Sequence, residues 1–389
     1  MPHSTSSIDS MVITPIDCGP NSNVKFGATI SGVDLNNVDD ELFAALREAI
    51  YKYELVLFKG QHDLKPIEHF NFVKRFDPNA PDLHGHGTLE TVRKTHKGAP
   101  TLLAAVSTHM IPGAPGVRLV AAGYQGKDHY GLKDIEFRTS TILNTHTNPP
   151  TQEEIDAGIT RFGRWHIDFA GYELHAPLVT ALRCVKLPVG PEQTLRWDDG
   201  TGREIKVKPG LTAFYSCEQQ YAEFSPEERE MVDNSEVQYA AHPYQWISRC
   251  KQDSMGITIP QGQGLEMKPD ERPQVDESKV QRLPMVWHNP VTGKGAFMVH
   301  AIIAEKLFIK KTKNSAVQVI DNVDEVRALL LGLMKRMVSP ENVMVAPYEE
   351  GDVAVWNNRG MEHTFIEYPK SYGPRSMHQV NIAGSHPPS

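Results

Sequence analysis

Trp165-His166-Ile167-Asp168 sets an imidazole and a carboxylate two positions apart. Along an extended chain, residues i and i+2 point to the same face. Both side chains can therefore meet one ion without bending the backbone, and a third ligand must come from elsewhere. Two imidazoles and one carboxylate leave open positions on an octahedral ion, the facial arrangement of non-haem iron(II) oxygenases. A His-x-Asp pair is weak by itself. The chain holds 17 His and 48 Asp plus Glu, so such neighbours also arise by chance, as at Gln61-His62-Asp63. The pair is sharpened by the segment from Gly351 to His363 (GDVAVWNNRGMEH), which ends in a histidine, with Arg375 twelve residues further on. An arginine there can form a bidentate pair with a carboxylate, as a dicarboxylic cosubstrate requires.

The elements that must position these residues are short strands separated by turns. Strands are expected at 54–59, 117–122, 212–216, 352–356, 363–368 and 375–382. The WDDGTG stretch (Trp197 to Gly202) reads as a hairpin turn between TLRW and REIKVK. Asn289 to Gly295 reads as a second hairpin between 285–287 and 296–299. His166 and Asp168 are expected on a strand, with Trp165 facing away from them into the core. Helices are expected over 41–53, with Phe43, Leu46, Ala49 and Ile50 as the apolar stripe, and over 64–76 and 323–337. Another opens at Ser225, whose side chain and Glu228 form a capping box. Residues 77–160 are irregular and rich in His, Gly and Pro, the composition of functional loop. The fold class is mainly β with flanking helices around a double-stranded β-helix, or jelly-roll, core. Residues 1–12 are expected to be disordered, and 13–389 to form a single domain.

Bulk properties exclude several function classes. A net charge of -8 and pI near 6.1 argue against nucleic acid as a partner, because phosphate binding needs a positive surface. No apolar run approaches the ~18 residues of a membrane span. Cys18, Cys184, Cys217 and Cys250 are widely spaced, which is neither a disulfide framework nor a zinc ribbon. The expectation is a cytoplasmic protein with a small-molecule substrate. A homo-oligomer is left open.

The chain resembles the taurine dioxygenase-like (TauD/TfdA) family of iron(II)/2-oxoglutarate oxygenases. The resemblance runs through LREAIYKYELVLFKGQ, WHID with APLVTALRCVKLP, GLTAFYSCEQQYAEFS, NPVTGKGAFMVH, GDVAVWNNRGMEHTF and PRSMHQVNIAG. It implies iron(II), with 2-oxoglutarate and O2 as cosubstrates. It also implies His166, Asp168 and His363 as metal ligands, and Thr212 and Arg375 as the residues that hold 2-oxoglutarate. The family's taurine dioxygenases carry a second arginine four residues after the clamp. Here that position is Gln379, which argues against a sulfonate substrate. Within the family the chain also resembles the fungal xanthine dioxygenase subgroup, through RxxRWHID, HPYxW, LPMVWxNPxTGK and RxxxQxNIA. It implies Gln379 and Asn381 as substrate-pocket residues, with Phe365 and Arg118 as further pocket residues. Where that subgroup uses amides, this chain has Gly116 and Arg118, and arginine suits an anion better than a purine edge. The expected reaction is oxidation of an unactivated C–H bond in a small carboxylate or amino-acid-like molecule, in fungal secondary metabolism. It proceeds by hydroxylation, oxidative cyclisation or desaturation, with release of succinate and CO2. Xanthine is the alternative substrate. A zinc hydrolase with the same three ligands and a non-catalytic jelly-roll binding module are the competing classes.

Overall fold

The computed structural model describes residues 8–85, 108–137, 142–260 and 264–389. Among them, a nine-stranded sheet forms the backbone of the fold. Its order is Val12–Pro15, Ala28–Ser31, Leu55–Phe58, Val353–Asn357, Val179–Lys186, Arg375–Asn381, Ala114–Tyr124 and Thr108–Ile111, with Glu136–Phe137 pairing onto Ala114–Tyr124. All neighbours are antiparallel except Ala28–Ser31 with Leu55–Phe58. A smaller sheet sets Thr212–Ser216 between Met344–Val345 and Met361–Phe365.

The two sheets enclose a buried layer. Leu55, Leu57, Leu182, Ala354, Trp356 and Met377 reach it from the large sheet, and Phe214, Met344 and Met361 from the small one. Strict alternation along each strand sends the other face outward. There Val179, Ala181, Val353, Val355 and Val380 pack under helices Asp40–Tyr53 and Pro66–Lys74. The first helix starts where Asp39 accepts from the Leu42 amide. It buries Leu42, Leu46, Ala49 and Ile50. This is the jelly-roll core with flanking helices expected from the strand pattern.

Most expected elements recur with ends moved by a residue or two. Thr212–Ser216 and the Ser225–Glu228 capping box match residue for residue. The WDDGTG hairpin joins Gln193–Arg196 to Glu204–Val207, and the second hairpin joins Val286–His288 to Gly295–Phe297. Order begins earlier than expected. Ile8–Ser10 form a 3-10 turn and Val12 pairs with Ser31. Met11 and Ile13 anchor this segment on the helix-side core. Residues 1–7 lie outside the described residues. The strand expected at 117–122 is longer than expected and runs over eleven residues, Ala114–Tyr124.

The expected strand around His166 and Asp168 is absent. His166 makes a single antiparallel bridge to His363, and Asp168 sits in a bend. The reason lies in one side chain. Asn358 Oδ1 accepts from the Asp168 amide at 3.0 Å, and its Nδ2 donates to the Asp168 carbonyl at 2.9 Å. Asn358 thus satisfies both backbone groups that a neighbouring strand would otherwise take.

Candidate active site

The extended segment and the small sheet bring the three ligand-type residues together. Ligand atoms of His166, Asp168 and His363 lie within 4.8 Å of one another. His363 Nε2 is 3.9 Å from Asp168 Oδ2, and the two imidazole rings are 4.2 Å apart between centroids. His166 Nδ1 lies 2.8 Å from the Arg164 carbonyl, so Nδ1 carries the proton and Nε2 is left to face the cluster. Asp168 is buried. Its Oδ2 accepts from Thr180 Oγ1 at 2.8 Å and from Gln379 Nε2 at 3.3 Å. His363 packs against Trp356 and stacks on Phe214. Burial, with the neighbouring His363 and Arg164 adding to it, holds the His166 pKa well below its ordinary value. Neutral imidazole is the form that ligates a metal. Two imidazoles, an oriented carboxylate and a hydrogen-bonded outer ring fit a divalent iron.

A second cluster stands beside the first. Arg375 Nη2 donates to Thr212 Oγ1 at 3.4 Å and to Tyr348 Oη at 3.3 Å. The Thr212 and Tyr348 hydroxyls are 2.9 Å apart. Arg375 Nε donates to the Gly210 carbonyl at 2.7 Å, which fixes the guanidinium plane. Gly210 has φ +77, and a Cβ there would come 2.5 Å from Pro188. Glycine is therefore required for this carbonyl to reach the arginine. A guanidinium and two hydroxyls converging on one point suit a carboxylate, and so fit the distal end of 2-oxoglutarate.

Both clusters open into one cavity of about 1220 Å³. His166, His363, Thr212 and Arg375 line it, as do Arg118, Phe365 and Gln379. Arg118 stands directly opposite Gln379 on the adjacent strand. Enclosure lowers the Arg118 pKa to about 10, against the pull of Asp168. Phe365 is 40% exposed and forms part of the rim. Asn381 is the exception among the expected pocket residues. It does not border the cavity, and its Oδ1 accepts from the Gly85 amide. Two residues beyond Gln379, the strand has advanced about 6.7 Å and left the cavity behind.

Sequence reasoning missed Tyr348, Thr180, Asn358's grip on Asp168 and Arg164. Tyr348 and Thr180 occupy no motif or periodicity that could have marked them. Arg164 stood two residues before His166, on the face the same spacing argument assigns to the ligands. That was the available signal. Trp165 behaves as expected, buried against Phe162 and Tyr215 on the far side.

Comparison with known proteins agrees with this geometry. The family described as "Taurine catabolism dioxygenase TauD, TfdA family" matches residues 17–381. The chain is 37% identical over 381 residues to alpha-ketoglutarate-dependent dioxygenase bsc9 of Alternaria brassicicola, covering 97% of this chain and 94% of that one. It is 36% identical to alpha-ketoglutarate-dependent xanthine dioxygenase xan1 of Schizosaccharomyces pombe, covering 95% and 87%. Alpha-ketoglutarate is 2-oxoglutarate by another name. Among solved structures, a taurine dioxygenase from Burkholderia xenovorans superposes with a TM-score of 0.53 at 18% identity, covering 97% of this chain and 92% of that one. AAD-2 in complex with Mn(II) and N-oxalylglycine superposes with a TM-score of 0.55 at 16% identity, covering 97% and 98%. At those identities the likeness speaks for the fold. With the family match spanning nearly the whole chain, this protein belongs to the TauD, TfdA family and is an oxidoreductase of its 2-oxoglutarate-dependent dioxygenase class, working with iron(II), 2-oxoglutarate and O2.

Proposed function

We propose that this protein oxidises an unactivated C–H bond of a small carboxylate or amino-acid-like substrate, releasing succinate and CO2 from 2-oxoglutarate. In this reading His166, Asp168 and His363 hold iron(II), Thr212 and Arg375 hold 2-oxoglutarate with Tyr348, and Arg118, Gln379 and Phe365 face the substrate. The observation that carries it is one cavity lined by His166 and His363 of the ligand cluster and by Thr212 and Arg375 of the second cluster. Iron(II) with 2-oxoglutarate and O2 supplies the oxidising power that breaks the C–H bond. The chain's residues do the positioning. Arg164's carbonyl keeps His166 in the ligating tautomer, while Thr180 and Gln379 steer Asp168 toward the centre. Hydroxylation, cyclisation and desaturation all draw on this arrangement, and substrate pose selects among them.

Residues 13–389 act as one domain in this reading, and three buried cysteines without disulfides support a reducing, cytoplasmic setting. No helix among the described residues is long and apolar enough to cross a membrane. Relatives from Alternaria brassicicola and Phomopsis amygdali named alpha-ketoglutarate-dependent dioxygenases support the reaction class, and a place in fungal secondary metabolism is part of this proposal. Xanthine is the second reading, favoured by the 36% and 35% identical relatives named xanthine dioxygenases and by the Gln379 amide at the cavity.

The test is oxygen- and iron-dependent formation of succinate from 2-oxoglutarate, stimulated by a panel of small acids, amino acids and purines. His166→Ala should lose iron and all turnover. Wild-type protein that forms no succinate under any of these conditions, or that hydrolyses substrate with tightly bound zinc, would sink the proposal. Stimulation by xanthine alone would select the second reading.

A further inference from the structure

The chain is acidic, with net charge -8, yet its cavity is basic. Arg118, Arg164, Lys186, Lys370 and Arg375 line it against Glu136 and Glu367. Burial pushes the Glu367 carboxyl up to about 7, which weakens it as a counter-charge at neutral pH. Arg375 is engaged by Gly210, Thr212 and Tyr348. The other two arginines are not engaged in this way. Nε of Arg118 and Nε of Arg164 are buried without a hydrogen-bond partner. Neither guanidinium pairs with a carboxylate among the described residues.

We infer that Arg118 and Arg164 form a two-point anion site, so that the primary substrate carries two anionic groups, carboxylates above all, with the reacting C–H bond held between them. The inference rests on the dioxygenase reading above and specifies its substrate class. The two guanidiniums enter from different walls. Arg118 comes from the large sheet, opposite Gln379, whose amide reaches Asp168. Arg164 comes from the ligand segment, two residues before His166, and lies 5.9 Å over the Tyr244 ring. The Tyr244 hydroxyl donates to the Phe169 carbonyl at 2.6 Å, so that wall is fixed. Each arginine therefore flanks a different ligand of the triad. Asp168, which belongs to the ligand cluster, is the carboxylate that pulls on Arg118, and an enclosed guanidinium is stabilised further when an anion arrives beside it. A monoanion can relieve one guanidinium and leaves the other unpaired. A dianion relieves both and is thereby fixed at two points, one on each wall beside the ligand cluster. Arg164 is in this view a specificity-determining residue. Its backbone serves the metal ligand while its side chain reads the substrate.

The experiment is calorimetric titration of the anaerobic iron(II) enzyme saturated with 2-oxoglutarate, so that the Arg375 cluster is already filled. The probes are aspartate, glutamate and malate, each compared with its half-amide. At least one dianion should bind about 30-fold or more tightly than its half-amide, the scale set by an unpaired enclosed charge. Arg118→Gln and Arg164→Gln should each erase that ratio, and Arg→Lys should restore part of it. The KM for 2-oxoglutarate, read from succinate formed without substrate, should stay within about twofold of wild type. The wild-type comparison does not depend on either variant folding. Equal binding of dianion and half-amide overturns the inference. So does the absence of any dianion binding, or a variant whose main effect is on the KM for 2-oxoglutarate. If wild type makes succinate and shows no dianion preference, only this inference falls. If it makes none, the dioxygenase reading falls with it.

Discussion

Tyr348 offers a single-atom test of how the cosubstrate is held. Its hydroxyl touches Thr212, Arg375 and the Gly210 carbonyl at once. Tyr348→Phe removes one neutral hydrogen-bonding group and keeps the ring in its buried seat. Steady-state kinetics should show the KM for 2-oxoglutarate rising about 3- to 10-fold, with kcat at saturation changing less than about twofold. An unchanged KM would mean that Thr212 and Arg375 act alone. The residues legible before the fold was known are those whose chemistry depends on spacing. His166 and Asp168 announce themselves two apart, and His363 and Arg375 stand at the ends of recognisable strands. Tyr348 does not, because it reaches the cluster from the turn-rich Ala346-Pro347-Tyr348 segment, and only tertiary packing puts it there. Asn381 erred the other way. It shares a strand face with Gln379 by periodicity, but the cavity ends before it.

At the scale of elements, the turn after Val353–Asn357 carries more of the metal site than its length suggests. Asn358 takes both backbone groups of Asp168 and also donates to the Pro177 carbonyl. Asn358→Ala should weaken iron binding about 10- to 100-fold while the far-ultraviolet circular dichroism stays that of wild type. A metal titration with unchanged affinity would remove Asn358 from the site's support. The same strand end brings in Glu54, which follows helix Asp40–Tyr53 and accepts from Ser216 Oγ at 2.6 Å. Burial, then the nearby Glu218, pushes its pKa from 4.5 up to about 8. A carboxyl raised on folding binds more protons in the folded state than in the unfolded chain between those two values. It therefore lowers stability as pH climbs through that window. Glu54→Gln is neutral throughout, so its melting temperature should gain on wild type from about pH 5 to about pH 8 and then run parallel. A gap that is constant with pH would mean that Glu54 does not ionise differently on folding.

For the whole molecule, folding and loading are linked, because the ligand groups come from segments far apart in the chain. Ligands that bind only the folded state add about 2.7 kcal/mol at a hundredfold excess over Kd. Anaerobic iron(II) with 2-oxoglutarate should therefore raise the melting temperature by a few degrees in scanning calorimetry, and His363→Ala should abolish the iron-dependent part of the rise. The overall architecture was legible because it follows from alternation, turn residues and caps, which are local. Thr212–Ser216 and the Ser225–Glu228 box show this most directly. The extended ligand segment was not, because whether His166 and Asp168 join a ladder depends on Asn358, about 190 positions away. The eleven-residue strand Ala114–Tyr124 was recognised only in its middle. Its flanks gain strand geometry from Arg375–Asn381 and Thr108–Ile111 on either side.

The order of strands in the large sheet also governs when the enzyme becomes dangerous. Arg375–Asn381 lies between Val179–Lys186 and Ala114–Tyr124, both made much earlier by the ribosome. Until that strand inserts, Asp168 lacks the Gln379 contact and the cavity lacks Arg375. Val353–Asn357, which fills the neighbouring slot, leads directly into His363. A nascent chain thus cannot assemble the proposed metal triad or the proposed cosubstrate cluster before Val353–Asn357 and Arg375–Asn381 are synthesised. In the proposed function, oxidising chemistry therefore waits until the sheet around the site is complete.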